Sequence, residues 1–181
     1  MLLMQSIVFA CLIACTINAG ASSADYKLKA AYIYQFTKFA NWPETSFNKD
    51  DSPIVICVLG DSPFDKTLDG FSSRSSQNRN LNVKYLAASE NVADCHVVFV
   101  SKSLEKNLNK ILLMLGRYAV LSVSDIDHFA RRGGIIGFVK KRRRIGIEIN
   151  VAASKKSGMM LSSKLLEVST LVKGREVEET P

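Results

Sequence analysis

Few side chains in this 181-residue sequence are equipped for chemistry, and they fall in three places. Beyond the N-terminal stretch the only cysteines are Cys57 and Cys95, and His96 directly follows Cys95. A thiol beside an imidazole is how a cysteine nucleophile meets its base, provided that both point the same way. Within the strand-like run Cys95 to Val100, successive side chains alternate faces, so Cys95 and His96 diverge and His96 reads as structural. His128 with Asp125 and Asp127 offers an imidazole and two carboxylates, but three residues on one short segment complete neither a zinc shell nor a nucleophile. The third place is Lys140, Lys141, Arg142, Arg143 and Arg144, five consecutive cations that either solvate a turn or dock an acidic partner or membrane. No glycine pattern of the phosphate-cradling kind occurs in the polar stretch Ser72 to Asn80. With no catalytic residue, metal set or cofactor indicated, the sequence reads as a binding protein and not as an enzyme.

The first 24 residues carry no charge, and Ile7 to Ile17 is almost wholly apolar. That run has signal-peptide length and is short for a membrane span; Ala19, Ala21, Ser22 and Ala24 supply small residues for cleavage. No Lys or Arg precedes it. Leu12-Ile13-Ala14-Cys15 also fits the pattern of bacterial lipoproteins, which makes Cys15 a candidate for lipidation; plain cleavage is the preferred reading. Export leaves the whole formal charge of +7 on residues 25–181. In that compartment nucleic acid is not the expected partner, and an anionic membrane or an acidic protein surface is. It also leaves Cys57 and Cys95 as an even pair, which in an oxidising compartment predicts one disulfide, two buried free thiols being the competing reading.

The elements that would position these groups follow from periodicity. Residues 25–172 suit one domain, with a charged flexible tail at 173–181. Asp25 to Ala40 predicts a helix whose core face is Leu28, Ala31, Tyr32, Gln35, Phe36 and Phe39, ending before Trp42-Pro43. Strands are predicted at Ile54 to Leu59, Asn82 to Leu86, Cys95 to Val100 and Tyr118 to Val123. Short helices are expected from Asp61 to about Gly70 and over Asp125 to Arg132, with a longer one from Ser101 or Ser103 through Leu115. Ser72 to Asn80 reads as a mobile surface loop. Gly133 and Gly134, needed for positive φ or close backbone approach, launch strand Ile135 to Val139; a basic turn and strand Ile145 to Ile149 follow, then a helical segment. In the last strand Ile145, Ile147 and Ile149 share the buried face, which leaves Glu148 on the other, facing solvent, a neighbouring arginine or another protein. Phe138 is either core or an exposed apolar anchor. The whole is an α/β layer fold with a largely parallel central sheet of about six strands, closed by an antiparallel C-terminal hairpin.

The run FARRGGIIGFVKKRRRIGIEINVAASKKSGMMLSSKLL, with KAAYIYQFTKFANWP near the start and DCHVVFVS in the middle, resembles the YfiR family of secreted bacterial proteins. The resemblance covers about Lys29 to Leu166 and implies a periplasmic, non-enzymatic repressor of a membrane-bound diguanylate cyclase. Such a protein binds the cyclase's periplasmic sensor portion and holds cyclic di-GMP synthesis, and with it biofilm formation, down. The resemblance further implies a homodimer, release by disulfide reduction or by a competing outer-membrane-linked antagonist, and a contact surface of Phe138, Lys140 to Arg144, and Glu148. A cysteine pair at similar places accords with it, whereas the second pair that some members carry near the C-terminal hairpin has no counterpart here. The alternative from another class is a periplasmic small-molecule binder, because an α/β domain offers crevices at the carboxyl ends of its strands.

Overall fold

Ile54–Leu59 (β2) is buried at every position, and so are Val97–Val100 (β5) and Leu121–Ser124 (β6) beside it. Apolar runs with no polar alternation, such as β2 and β5, can be strands only if both sheet faces are covered. The computed structural model describes residues 19–142 and 144–175 and shows both layers. The remaining strands are Ala40–Asn41 (β1), Ser75–Ser76 (β3), Arg79–Leu86 (β4), Ile136–Lys141 (β7), Arg144–Ile149 (β8), Met160–Leu161 (β9) and Thr170–Leu171 (β10); the α-helices are Ala19–Phe39 (α1), Leu108–Leu115 (α2), Val151–Lys156 (α3) and Ser163–Glu167 (α4). Eight strands form the main sheet in the order β10-β8-β7-β6-β5-β2-β4-β3, and β1 pairs with β9. All neighbours in the main sheet are parallel except the hairpins β7–β8 and β3–β4.

The two faces hold two cores. Ile54, Ile56 and Val58 of β2 join Phe99, Leu121 and Phe138 under α1 and α4. Val55, Cys57 and Leu59 join Val98, Val100 and Phe129 under α2. The β6 serines on this second face are satisfied: Ser124 Oγ donates to Val100 O at 2.7 Å, and Ser122 Oγ accepts from Ile135 N at 3.0 Å. The second core also contains the disulfide Cys57–Cys95, with Cα atoms 5.9 Å apart.

The expected fold class holds, with eight strands instead of about six. Five local expectations do not. The buried face of α1 is Ala30, Ile33, Tyr34, Phe36 and Thr37, whereas Leu28 and Gln35 are exposed. Thr37 lies inside because its hydroxyl donates to Tyr34 O, so a residue scored as polar fits the core stripe. Asp61 to Gly70 is turns followed by a single 3-10 turn at Asp69–Phe71, with Asp65 at φ 48° interrupting any helix. The segment Ser72 to Asn80 is the tight hairpin β3–β4, turned by Gln77 and Asn78 at positive φ. Gln77 Nε2 donates to Thr37 O and Ala40 O at 2.7 and 2.8 Å, satisfying the C-terminal end of α1. Asp125 to Arg132 is a chain of turns, because His128 sits at φ 60°. The helix expected through Leu115 opens as a 3-10 turn, Lys102–Asn107, capped by Ser101, whose side chain accepts from Ser103 N.

The expected signal peptide lies largely outside the described residues, as does Cys15; α1 is already helical at Ala19, and its packed part begins at Tyr26. No described helix is long and apolar enough to cross a membrane.

The disulfide closes a 38-residue span, for which loop-closure entropy alone is worth about 4 kcal/mol. Replacing Cys57 and Cys95 together by serine is expected to lower the unfolding free energy by about 2–4 kcal/mol in urea titrations, and reductant should have no further effect on that variant.

Candidate functional site

The basic hairpin is the feature that the sequence singled out, and its geometry separates the residues grouped there. β7 and β8 pair from Ile136↔Ile149 to Lys141↔Arg144, leaving a two-residue turn with Arg142 at φ 49°. Lys140, Lys141, Arg142 and Arg144 are exposed at this tip; Arg143 lies outside the described residues. Glu148 stands four residues back along β8, about 14 Å from Arg144 at strand rise. Phe138 is on the opposite sheet face from Glu148 and is only 5 % exposed, with its ring centroid 5.8 Å from Phe36 and 6.1 Å from Tyr32. It is therefore a core residue that ties the hairpin to α1, not an exposed anchor.

Glu148 is not a free acid. Its Oε1 accepts from Arg131 Nη2 at 2.9 Å and its Oε2 from Arg131 Nε at 3.3 Å, a forked pair across the second sheet face. On the same face Lys141 Nζ donates to Thr170 Oγ1 at 2.9 Å, tying the hairpin to the edge strand β10. What the strip presents is thus a forked ion pair followed by a cationic tip. Arg131 was not marked from the sequence as its partner, although it adjoins the paired glycines. Gly133 takes φ 114°, and a Cβ on Gly134 would overlap the Phe129 ring, so the two glycines place Arg131 beside the sheet.

Two further polar clusters are structural. At the carboxyl end of β6, Asp125 Oδ2 accepts from the Tyr26 hydroxyl at 2.8 Å and pairs with Lys29 Nζ, so α1 is clamped to the sheet. Burial, and then the hydrogen bond to Asp125, push the Tyr26 hydroxyl well above its ordinary range. His96 accepts from Val55 N at Nδ1, so the proton is on Nε2, which donates to Ser46 O, each at 3.1 Å. Its ring stacks on Phe47 at 4.5 Å, and Arg79 lies 3.8 Å over the other face of Phe47. The pairing of His96 with Cys95 as a catalytic couple is thus closed: Cys95 is in the disulfide and both imidazole nitrogens are engaged. Among the described residues no group of three His, Cys, Asp or Glu side chains could hold a metal ion.

At the carboxyl ends of the strands, the sheet reverses its winding between β2 and β5, where α/β folds of this kind take ligands. Here the crevice is filled from within. Ser101 Oγ donates to Asp61 O at 2.6 Å, Ser103 Oγ accepts from Asp61 N at 3.0 Å, and Leu104 packs onto Gly60. An open hollow of about 460 Å³ remains to one side, beside Tyr85 and Leu86.

Compared with known protein families, the sequence matches the one described as YfiR/HmsC-like over residues 26–170, from the first packed residue of α1 to the edge strand. The chain belongs to the YfiR/HmsC-like family. No curated protein matches it. In this YfiR/HmsC-like chain the family match spans the sheet, the disulfide and the hairpin alike, and Tyr26, Asp125, Arg131 and Glu148 all fall inside it.

His96 gives the domain a pH dependence whose sign is fixed by its surroundings. Burial holds the imidazole below its ordinary range; the Ser46 carbonyl opposes this, and the Arg79 charge adds to it. Below about pH 6.5 the unfolded chain therefore binds a proton that the folded chain excludes. Stability from this group is complete above that pH and is lost as pH falls. The urea midpoint is expected to drop from pH 7.5 to pH 5.5, and His96→Gln should reduce that drop while lowering stability at neutral pH.

Proposed function

We propose that this protein is a periplasmic, non-enzymatic regulator that binds the periplasmic portion of an inner-membrane diguanylate cyclase and represses cyclic di-GMP synthesis. The observation that carries this reading is membership of the YfiR/HmsC-like family over nearly the whole described domain. A leader of signal-peptide length and a disulfide between buried cysteines fit an exported protein, since such bridges persist in oxidising compartments. Cleavage near Ala24 releases the domain, with lipidation of Cys15 as the alternative route that tethers it.

The contact surface is the outer part of the β7–β8 hairpin. Lys140, Lys141, Arg142 and Arg144 supply exposed positive charge for an acidic sensor surface, and Glu148 supplies a carboxylate that can exchange Arg131 for a partner's cation. Arg143 belongs to the same run. Phe138 serves this surface from beneath by fixing the hairpin on α1. Repression is a population shift, in which the complex favours the inactive state of the cyclase. Release follows when the disulfide is reduced or when an outer-membrane-linked antagonist competes for the protein. A second copy of the chain completes a homodimer.

Deleting the gene is expected to raise cellular cyclic di-GMP and biofilm mass, and an unchanged level would overturn the reading. Lys140→Glu combined with Arg142→Glu and Arg144→Glu, all at exposed positions, should leave the melting temperature nearly unchanged. The triple variant should recover less cyclase from detergent-solubilised inner membrane, with binding of the unaltered protein weakening as salt is raised.

A further inference from the structure

A cleft of about 310 Å³ opens on the α2 side of the sheet, at the end of the β7–β8 hairpin opposite its basic tip. Its position is set by the shortness of α2, which ends at Leu115 and leaves the start of β6 and β7 uncovered until α3 closes the far side. The interior is apolar: Leu112 forms one wall, and Val120 and Ile135 form the floor. The polar groups inside are already committed, since Ser122 Oγ accepts from Ile135 N and Asn150 bonds both Ala130 O and Ala153 N. Charge is concentrated around the apolar floor. Arg117, Lys156 and Arg175 line the cleft, whereas no aspartate or glutamate does among the described residues. The carboxyl end of α2 also faces this region, but a helix terminus contributes about half a negative charge against the formal positive charges of Lys156 and Arg175.

We propose that this cleft binds a small organic anion with an apolar body, namely a carboxylate on an aliphatic or aryl chain of about ten non-hydrogen atoms. The size follows from the volume, which holds roughly ten water-sized units and lies at the lower end of the range for ligand pockets. The apolar body itself leaves water for a cleft lined by Leu112, Val120 and Ile135, and the carboxylate meets the Lys156 ammonium and the Arg175 guanidinium, the latter able to hold both oxygens. Neither half suffices alone. A bare anion gains no burial, and a neutral chain makes no use of Lys156 and Arg175. The backbone N–H of Arg175 donates to Arg131 O at 2.9 Å, so the site adjoins the arginine that pairs with Glu148.

The proposal is independent of the cyclase reading, because it is tested on the purified protein alone. Melting temperature is followed against octanoate, with 1-octanol as the neutral chain and inorganic phosphate as the bare anion. Octanoate is expected to raise the melting temperature saturably, as a ligand selective for the folded state must, while the other two do not. Lys156→Glu with Arg175→Glu, both exposed positions, should weaken octanoate binding about tenfold or more. Ala152→Trp, which fills the cleft from an exposed position on its wall, should abolish the shift, with circular dichroism showing that each variant is folded. No saturable shift, an equal shift with 1-octanol or phosphate, or a shift that survives both variants overturns the proposal.

Discussion

Three adjacent parallel strands with no exposed residue set the terms for everything around them. β2 and β5 send apolar side chains to both faces, and β6 buries Leu121 and Val123 on one face and two hydrogen-bonded serines on the other, so the sheet cannot exist without a layer on each side. α1 supplies one layer through Ile33 and Phe36, and α2 with Phe129 supplies the other. Neither layer would order itself in isolation: α2 spans only eight residues, well short of what a lone helix needs in water. The disulfide falls inside the second, thinner layer. It therefore restrains the unfolded chain where the folded one has least helix to bury.

The same constraint explains where the surface features lie. Cover on the first face runs out along the hairpin after Phe138, the last β7 residue packed under α1, and beyond Val139 the residues are lysines and arginines. A hairpin that projects past its own core must be polar at the tip, so solvation alone accounts for charge there. It does not account for five successive cations of one sign. Like charges on a tight turn repel, a cost that an acidic surface would relieve. On the second face α2 is too short to reach the start of β7. The gap is bridged in two ways, by the Arg131–Glu148 pair over the sheet and by the open cleft beside α3.

How much of this was legible in the sequence follows from which forces were local. The central strands, the α2 face of Leu108, Ile111, Leu112 and Leu115, and the isoleucine face of β8 each show in a single segment's pattern. The paired glycines were legible too, because each of the two reasons for a glycine applies to one of them: positive φ at Gly133, and the Phe129 ring against Gly134. What failed was decided by distant partners. The register of α1 turns on Tyr26 and Lys29 meeting Asp125, about a hundred positions away. The polar stretch Ser72 to Asn80 looks mobile until Gln77 is seen capping α1. The fork from Arg131 to Glu148 joins a turn to a strand 17 residues on, and no periodicity encodes it. Phe138 carried no sign of its depth, since both faces of β7 contain apolar residues.

The clamp at Asp125 bears on export as well as on packing. Ser23, Ala24 and Asp25 are exposed on α1, and the first side chains to meet the sheet are Tyr26 and Lys29. Asp125 is buried, and its Oδ1 makes no hydrogen bond among the described residues, so the Tyr26 hydroxyl and the Lys29 ammonium are what offset the cost of hiding a carboxylate. Cleavage at Ala24 would leave both partners in place. Cleavage beyond Tyr26 would strip one of them and leave the buried carboxylate worse compensated. The polar tie that holds α1 to the carboxyl end of β6 therefore begins at Tyr26, which is also the first residue of the family match.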